Sequence, residues 1–403
     1  FRLAAIPQEM TDRKSVFAHL GPLLALQPAE LERRFLEQQG LPFLPAMLIR
    51  NVSKTAALRV EEARLELPGL VVEPVAMRQY PLGSVAAHLL GNGSQPTPEA
   101  FPTLKQYGVR LRDLVGRAGL EQELDAYLRG RSGGSLIEVD SQSRQVRVVG
   151  HREPVPGEPV VLTIDAQLQA LIEQQFGEQP GACVVLKPQT GELLAMVSVP
   201  SFDPGVFAMQ DSPAIRRLLA DSRGPLMNRA IAGLYLPGSI VKPVTAATAL
   251  EHRVISPWTS FTCGGYLPIG DRRFHCWNRD GHGPLTLRDA LARSCNVYFM
   301  EVGRRIGVDR LRTGLTGVGF GRRTGWSSEE AVGHLPNRRL TEGEVALLAI
   351  GQGEILITPL QAAIMVSAIA NRGWLVQPWV VKMIGDRPTA HTHITPLGWS
   401  QES

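Results

Sequence analysis

Residues 235–243 read Tyr-Leu-Pro-Gly-Ser-Ile-Val-Lys-Pro. Pro237 and Gly238 make a turn, and an apolar helical pattern begins directly after them, so Ser239 falls at or beside a helix N-terminus. Lys242 follows three residues later, on the same helical face. Pro243 is compatible with that helix because the first turn has spare N–H groups. A serine hydroxyl is a weak nucleophile until a base takes its proton. A lysine is such a base only when its amine is neutral, a state that burial or a neighbouring cation promotes. The N–H groups of a helix start favour negative charge on the serine oxygen and on an oxyanion beside it. A bare Ser-x-x-Lys is more often a helix cap next to a surface lysine, so the residues downstream decide.

The next element is Ser294-Cys295-Asn296, between two helical patterns at 287–293 and 297–306. A second serine near a Ser–Lys pair relays a proton, and an asparagine amide bonds a peptide backbone as donor and acceptor. Alone, these two residues would simply cap a helix.

Four cysteines occur, at 183, 263, 276 and 295, and three of them fall within 33 residues. With His282, the set Cys263, Cys276, His282 and Cys295 supplies the four sulfur and nitrogen ligands that a closed tetrahedral Zn2+ site takes. Cys295 lies inside the Ser294–Asn296 element, so a metal there braces that loop from behind. A Cys263–Cys276 disulfide is the competing reading, and His275 an alternative ligand. Cys183 lies in an apolar strand pattern and reads as core.

Around these elements the chain reads as α+β. The length of 403 residues suggests two or three domains. In the first part, helical patterns run over 31–39, 60–65 and 119–129, and strand patterns over 70–74, 135–139 and 145–149. The prolines and glycine at 154–159 mark a composition break. We therefore expect one domain over 1–153 and a second over 154–403. The second opens with a strand at 160–164 and a helix capped by Asp165. A hairpin follows at 182–186 and 193–199, and then helices, among them 244–254 and 360–371. Lysine and arginine number 42 against 38 aspartates and glutamates, and no dense basic run suggests nucleic acid. No apolar stretch approaches the eighteen or so residues of a membrane span. The start at Phe1, without Met, reads as an excised ectodomain or fragment.

The Ser-x-x-Lys and Ser-x-Asn elements together resemble the penicillin-recognising serine enzymes. The flanking strings narrow this to class B penicillin-binding proteins: Gly281-His282-Gly283, Gly351-Gln352-Gly353, Thr358-Pro359-Leu360-Gln361, and in the first domain Gly119-Leu120-Glu121 with Leu128-Arg129-Gly130. Leu162-Thr163-Ile164-Asp165 fits the same class, and its wall-elongation branch, penicillin-binding protein 2, is the nearer one. The resemblance implies a pedestal, dimerisation-like first domain and a transpeptidase domain built as a sheet flanked by helices. Ser239 would attack a D-Ala-D-Ala stem peptide, Lys242 would be the base, Ser294 the relay, and Asn296 would hold the donor peptide. β-Lactams would be trapped at the first step. No organic cofactor is implied; a structural Zn2+ is. The implied partners are peptidoglycan stem peptides, β-lactams and a membrane glycosyltransferase, on the periplasmic face of the inner membrane, with the anchor helix outside this chain. The family carries a third motif, Lys-Thr/Ser-Gly, on a strand after the Gly-Gln-Gly segment. Arg323-Thr324-Gly325 comes too early to be it, and the chain stops at Ser403, so the resemblance reads the second domain as C-terminally truncated. Two further readings stay open: a hydrolase (a D,D-carboxypeptidase or β-lactamase), and a non-catalytic β-lactam sensor or scaffold.

Overall fold

The structure, a computed structural model, describes residues 1–38, 40–74, 77–97, 99–106, 109, 113–141, 145–389 and 393–400. Gln39 and residues 401–403, with the chain end at Ser403, lie outside the described residues.

The N-terminal part begins with strand β1 (Arg2–Ala5), the middle of a three-stranded antiparallel sheet. Helices α1 (Arg13–Leu24) and α2 (Pro28–Gln38), strand β2 (Ala46–Ile49), helix α3 (Lys54–Glu62) and strand β3 (Leu70–Glu73) complete this unit. Leu3, Phe17, Leu20, Leu31 and Phe35 form its core. Sequence periodicity found α2 and β3. It placed a helix at 60–65, whereas α3 begins at Lys54, where the Ser53 hydroxyl accepts the Ala56 N–H. The start was hidden because residues 54–59 carry little apolar period.

The expected helix over 119–129 is two short helices, Gly119–Glu123 and Asp125–Leu128, broken at Leu124. The Asp125 carboxylate accepts the Gly116 N–H, tying the second short helix to the strand Val115–Ala118 that precedes the first. A long hairpin follows, of strands β4 (Gly134–Val139) and β5 (Gln145–Arg152).

Strand β6 (Val160–Leu162) then pairs antiparallel with Val381–Ile384, joining the start of the second part to its far end. Helix α4 (Ala166–Phe176) is capped as expected by the Asp165 carboxylate, which accepts the N–H groups of Gln167 and Leu168. Strands β7 (Gly181–Leu186) and β8 (Leu193–Val199) form the expected hairpin. Cys183, expected in the core, is only half-buried on β7.

Helix α5 (Lys242–Glu251) runs through the main core with Val241, Val244, Ala246 and Ala249. Against it pack α6 (Leu287–Ala292), α7 (Asn296–Ile306) and the helix Val308–Gly317, and α8 (Glu342–Leu348) packs on α7. The chain then reaches α9 (Pro359–Ala370), started by a Thr358/Gln361 capping box. The result is a mixed helix-and-strand chain in two parts, with α5 at the centre of the second. Among the described residues no helix is long and apolar enough to cross a membrane.

Candidate active site and thiol–imidazole cluster

Residues 238–241 form one 3-10 turn that runs straight into α5. Ser239 sits on that turn, exposed, and its hydroxyl has no hydrogen-bond partner among the described residues. Lys242, one turn on, is buried in the protein at 1 % exposure. Its amine donates to the Ser294 carbonyl at 2.7 Å, to Asn296 Oδ1 at 2.7 Å and to Ser294 Oγ at 3.0 Å. It also stands 5.8 Å from the centre of the Phe299 ring. No hydrogen bond joins Lys242 to Ser239. Catalytic contacts are often loose until substrate arrives. Burial lowers the Lys242 pKa from 10.5 to about 8, against a smaller pull upward from the Cys295 and Cys276 thiols. The structure thus brings Lys242, Ser294 and Asn296 together, across 52 and 54 residues of chain.

The turn carrying Ser239 is held from outside by the Gly351-Gln352-Gly353 loop. Gly238 N–H donates to the Gly351 carbonyl at 2.9 Å. The buried Thr245 hydroxyl donates to the Ala349 carbonyl at 2.8 Å. Tyr235 and Ile357 exchange two backbone bonds of 2.9 Å. Gly351 has φ +72°, and a Cβ there would lie 2.2 Å from the Gly238 oxygen. Gly351→Ala must push the turn that carries Ser239. A shift of about 1 Å at a reacting group costs about a hundredfold in rate. If Ser239 is the acylated residue that the family resemblance implies, that loss is expected in penicillin acylation of Gly351→Ala, with an unchanged circular dichroism spectrum; acylation at the wild-type rate would contradict it.

Ser294 links α6 to α7, and Cys295 caps α7, its Sγ accepting the Tyr298 N–H at 3.5 Å. Behind this turn lies the cluster read from the sequence. Strand β9 (Phe261–Cys263) ends on one thiol. A hairpin of β10 (Tyr266–Ile269) and β11 (Arg272–His275) delivers Cys276, and His282 precedes β12 (Gly283–Leu285). The ligand atoms of Cys263, Cys276, His282 and Cys295 all lie within 4.8 Å of one another. His282 Nδ1 is 3.5 Å from the Cys263 sulfur and 3.6 Å from the Cys276 sulfur. All four cysteines are free thiols, so no Cys263–Cys276 disulfide is formed. His275 is exposed against Tyr266 and does not join the group.

The cluster's electrostatics favour a cation. Burial pushes the Cys295 thiol up to about 12, and its thiol neighbours add to that. Burial also opposes ionisation of Cys276, but the backbone N–H groups of Asn296, Asn278 and Val297 outweigh it and lower its pKa. Burial and the nearby Arg293 and Lys242 charges keep His282 below its ordinary value, in the neutral form that binds metals. With bonds of about 2.3 Å to sulfur and about 2.05 Å to nitrogen, a tetrahedral Zn2+ sets its S···N edges at about 3.6 Å. The two observed separations fit that edge.

Arg323, Thr324 and Gly325 lie in a loop, where the buried Glu330 carboxylate accepts the Thr324 N–H and hydroxyl. They take no part in this site. The sequence reading missed two features: the reason Gly351 must be glycine, and Trp277. The latter is an exposed side chain whose indole reaches the Arg293 carbonyl.

The chain as a whole is similar to several known proteins. Residues 181–402 match the family described as Penicillin binding protein transpeptidase domain, and residues 1–162 match the Penicillin-binding Protein dimerisation domain. The chain is 30% identical over 382 residues to a protein named Peptidoglycan D,D-transpeptidase MrdA from Acinetobacter baumannii. That alignment covers 91% of this chain and 57% of the relative, so the chain spans little more than half of that protein. The fold resembles penicillin-binding protein 2 of Helicobacter pylori, solved in complex with MreC. The TM-score is 0.86 at 24% identity, covering 100% of this chain and 76% of that one. A chain of a peptidoglycan synthase complex described as coordinating polymerization and crosslinking is 30% identical. Its TM-score is 0.74, covering 99% of this chain and 70% of that one.

Proposed function

The chain belongs to the penicillin-binding protein transpeptidase family, and from that premise we propose that it is the catalytic part of a peptidoglycan D,D-transpeptidase acting through Ser239. The supporting observation is the buried Lys242 amine bonded to both Ser294 and Asn296. As an ammonium, Lys242 donates to all three of its oxygen partners. As a neutral amine it has two N–H groups and one lone pair. The two carbonyl oxygens at 2.7 Å take the N–H groups, and the lone pair accepts the Ser294 hydroxyl at 3.0 Å. Ser294 is then the channel through which a proton moves to or from the amine.

The reaction follows. The Ser239 Oγ attacks the carbonyl of the penultimate D-Ala of a stem peptide, and its proton passes to Lys242. The C–N bond to the terminal D-Ala breaks, and the proton passes by way of Ser294 to the leaving amine. Asn296 holds the donor peptide through its amide. An amine of a neighbouring strand then attacks the ester, and Ser239 recovers its proton. A β-lactam opens at the same step, but its amine stays tethered and the acyl-enzyme persists.

Because burial lowers the Lys242 pKa, the neutral base accumulates at lower pH than in a free lysine. Acylation by penicillin is expected to rise with pH, reach half its maximum at about 8 and then level off. A stopped-flow pH profile with its midpoint above pH ~10, near the ordinary lysine value, would count against Lys242 as the base.

The same reading gives the cluster a structural Zn2+ held by Cys263, Cys276, His282 and Cys295. All four positions are filled by protein, so the ion would supply a cross-link between loops rather than a reactive site. The division into a pedestal over 1–153 and a transpeptidase domain over 154–403 is supported by β6, which pairs with Val381–Ile384. We assign the pedestal a partner-binding role toward a membrane glycosyltransferase at the periplasmic face of the inner membrane.

The discriminating experiment supplies a D-Ala-D-Ala stem peptide, an amine acceptor and, separately, penicillin. Transfer to the amine with a penicillin adduct lasting hours supports the transpeptidase. Release of free acid, or an adduct lost in seconds, supports a hydrolase. An adduct without any peptide turnover supports the sensor or scaffold.

A further inference from the structure

The turn carrying Ser294 is strained. Its φ is +49°, in the left-handed region that residues other than glycine and asparagine seldom adopt. Ser294 stands just past the end of α6, where helices commonly place a glycine to change direction. A glycine would relieve the backbone but would bring no hydroxyl to Lys242. The strain therefore has to be held by neighbours.

Two backbone bonds close the turn, Ser294 N–H to the Leu291 carbonyl at 3.1 Å and Cys295 N–H to the Ala290 carbonyl at 2.9 Å. A third restraint comes from outside the helix. The Arg293 carbonyl, at the C-cap of α6, is among those at a helix end that have no helical donor. It accepts the indole N–H of Trp277 at 3.1 Å. Trp277 is 64 % exposed, so apolar burial does not account for its orientation. Its ring also makes an edge contact with His282, centroids 5.2 Å apart, and it directly follows Cys276 of the thiol–imidazole cluster in the chain. The indole thus spans from the cluster to the peptide bond directly before Ser294.

We infer that Trp277 is a positioning residue, whose indole N–H holds the left-handed turn that keeps the Ser294 hydroxyl and carbonyl on Lys242. Its catalytic consequence rests on the reading of Ser294 as part of the acylation site; the turn itself does not. Without the bond, the Arg293–Ser294 peptide relaxes toward right-handed geometry and the hydroxyl swings away from the amine.

Trp277→Phe keeps an aromatic ring beside His282 and removes the N–H, along with one fused ring of a side chain that is mostly solvent-exposed. Trp258→Phe is the control, at an 83 % exposed tryptophan with no hydrogen bond among the described residues. Two measurements are made on the full chain: amide hydrogen exchange of residues 294 and 295, and penicillin acylation resolved into non-covalent affinity and the saturating rate constant. The loss of one hydrogen bond corresponds to about tenfold. Trp277→Phe is expected to speed exchange at the two amides about tenfold and to slow saturating acylation by a like factor. Affinity and Tm should stay at wild-type values. Unchanged exchange would overturn the inference, as would equal effects in Trp258→Phe or a fall in acylation that merely tracks Tm. If the wild-type chain takes up no penicillin, the proposed function fails, while exchange still decides whether Trp277 holds the turn.

Discussion

Lys242→Met is expected to slow penicillin acylation about a thousandfold, the middle of the range for a lost general base, and to leave the protein folded. Methionine has nearly the length of the lysine stem and no basic atom. At a side chain 1 % exposed, the replacement removes the work of burying an amine. Against that, it leaves the Ser294 carbonyl and Asn296 Oδ1 without their donor, at about 1–3 kcal/mol each. These terms oppose each other, so Tm should move by only a few degrees while the rate collapses. Arginine is no substitute, because it stays charged at every accessible pH and cannot accept a proton. Acylation of Lys242→Met within tenfold of wild type would show that another group is the base.

Removing metal is expected to have the second large effect. Purified protein should carry one Zn2+ per chain, bound by three thiols and an imidazole. An ion present at about 100 to 1,000 times its Kd stabilises a fold by about 2.7–4.1 kcal/mol. For a domain of about 150–250 residues this is about 5–16 °C in Tm. Chelation, or Cys263→Ala, is expected to lower Tm within that range. It should also slow acylation, because Cys295 stands between Ser294 and Asn296 and caps the helix that carries Asn296. Metal analysis by mass spectrometry and a thermal melt check this together. Protein without zinc that is two hydrogens lighter, with Cys263 linked to Cys276, would replace the metal by a disulfide.

The local parts of the site could be read from the chain because their physics is local. Pro237-Gly238 before an apolar period places Ser239 at a helix start, and a three-residue offset fixes where Lys242 leaves the helix. Asp165 and the hairpin at 181–199 were equally readable, since caps and short turns depend on neighbours in sequence. The meeting of Lys242 with Ser294 and Asn296 was not, because spacing says nothing about how segments more than fifty residues apart approach; there the family resemblance carried the expectation. The same holds for β6 against Val381–Ile384. The choice between His275 and His282 was readable in part. Successive residues leaving a strand point to opposite sides, so a buried Cys276 turns His275 outward. Helix α1 escaped notice because Pro22 lies inside it and its apolar residues lack a clear stripe. Gly351 was seen as part of a motif, but only the structure shows its Cβ position pressed on the Gly238 carbonyl.

The central claim is that the exposed Ser239 hydroxyl is the atom that becomes acylated. Mass spectrometry of the intact chain after exposure to benzylpenicillin, followed by peptide mapping, tests it most directly. The account predicts a single adduct on the peptide containing Ser239, and none in Ser239→Ala at unchanged Tm. An adduct on Ser294 or on a cysteine, or one that persists in Ser239→Ala, would contradict it.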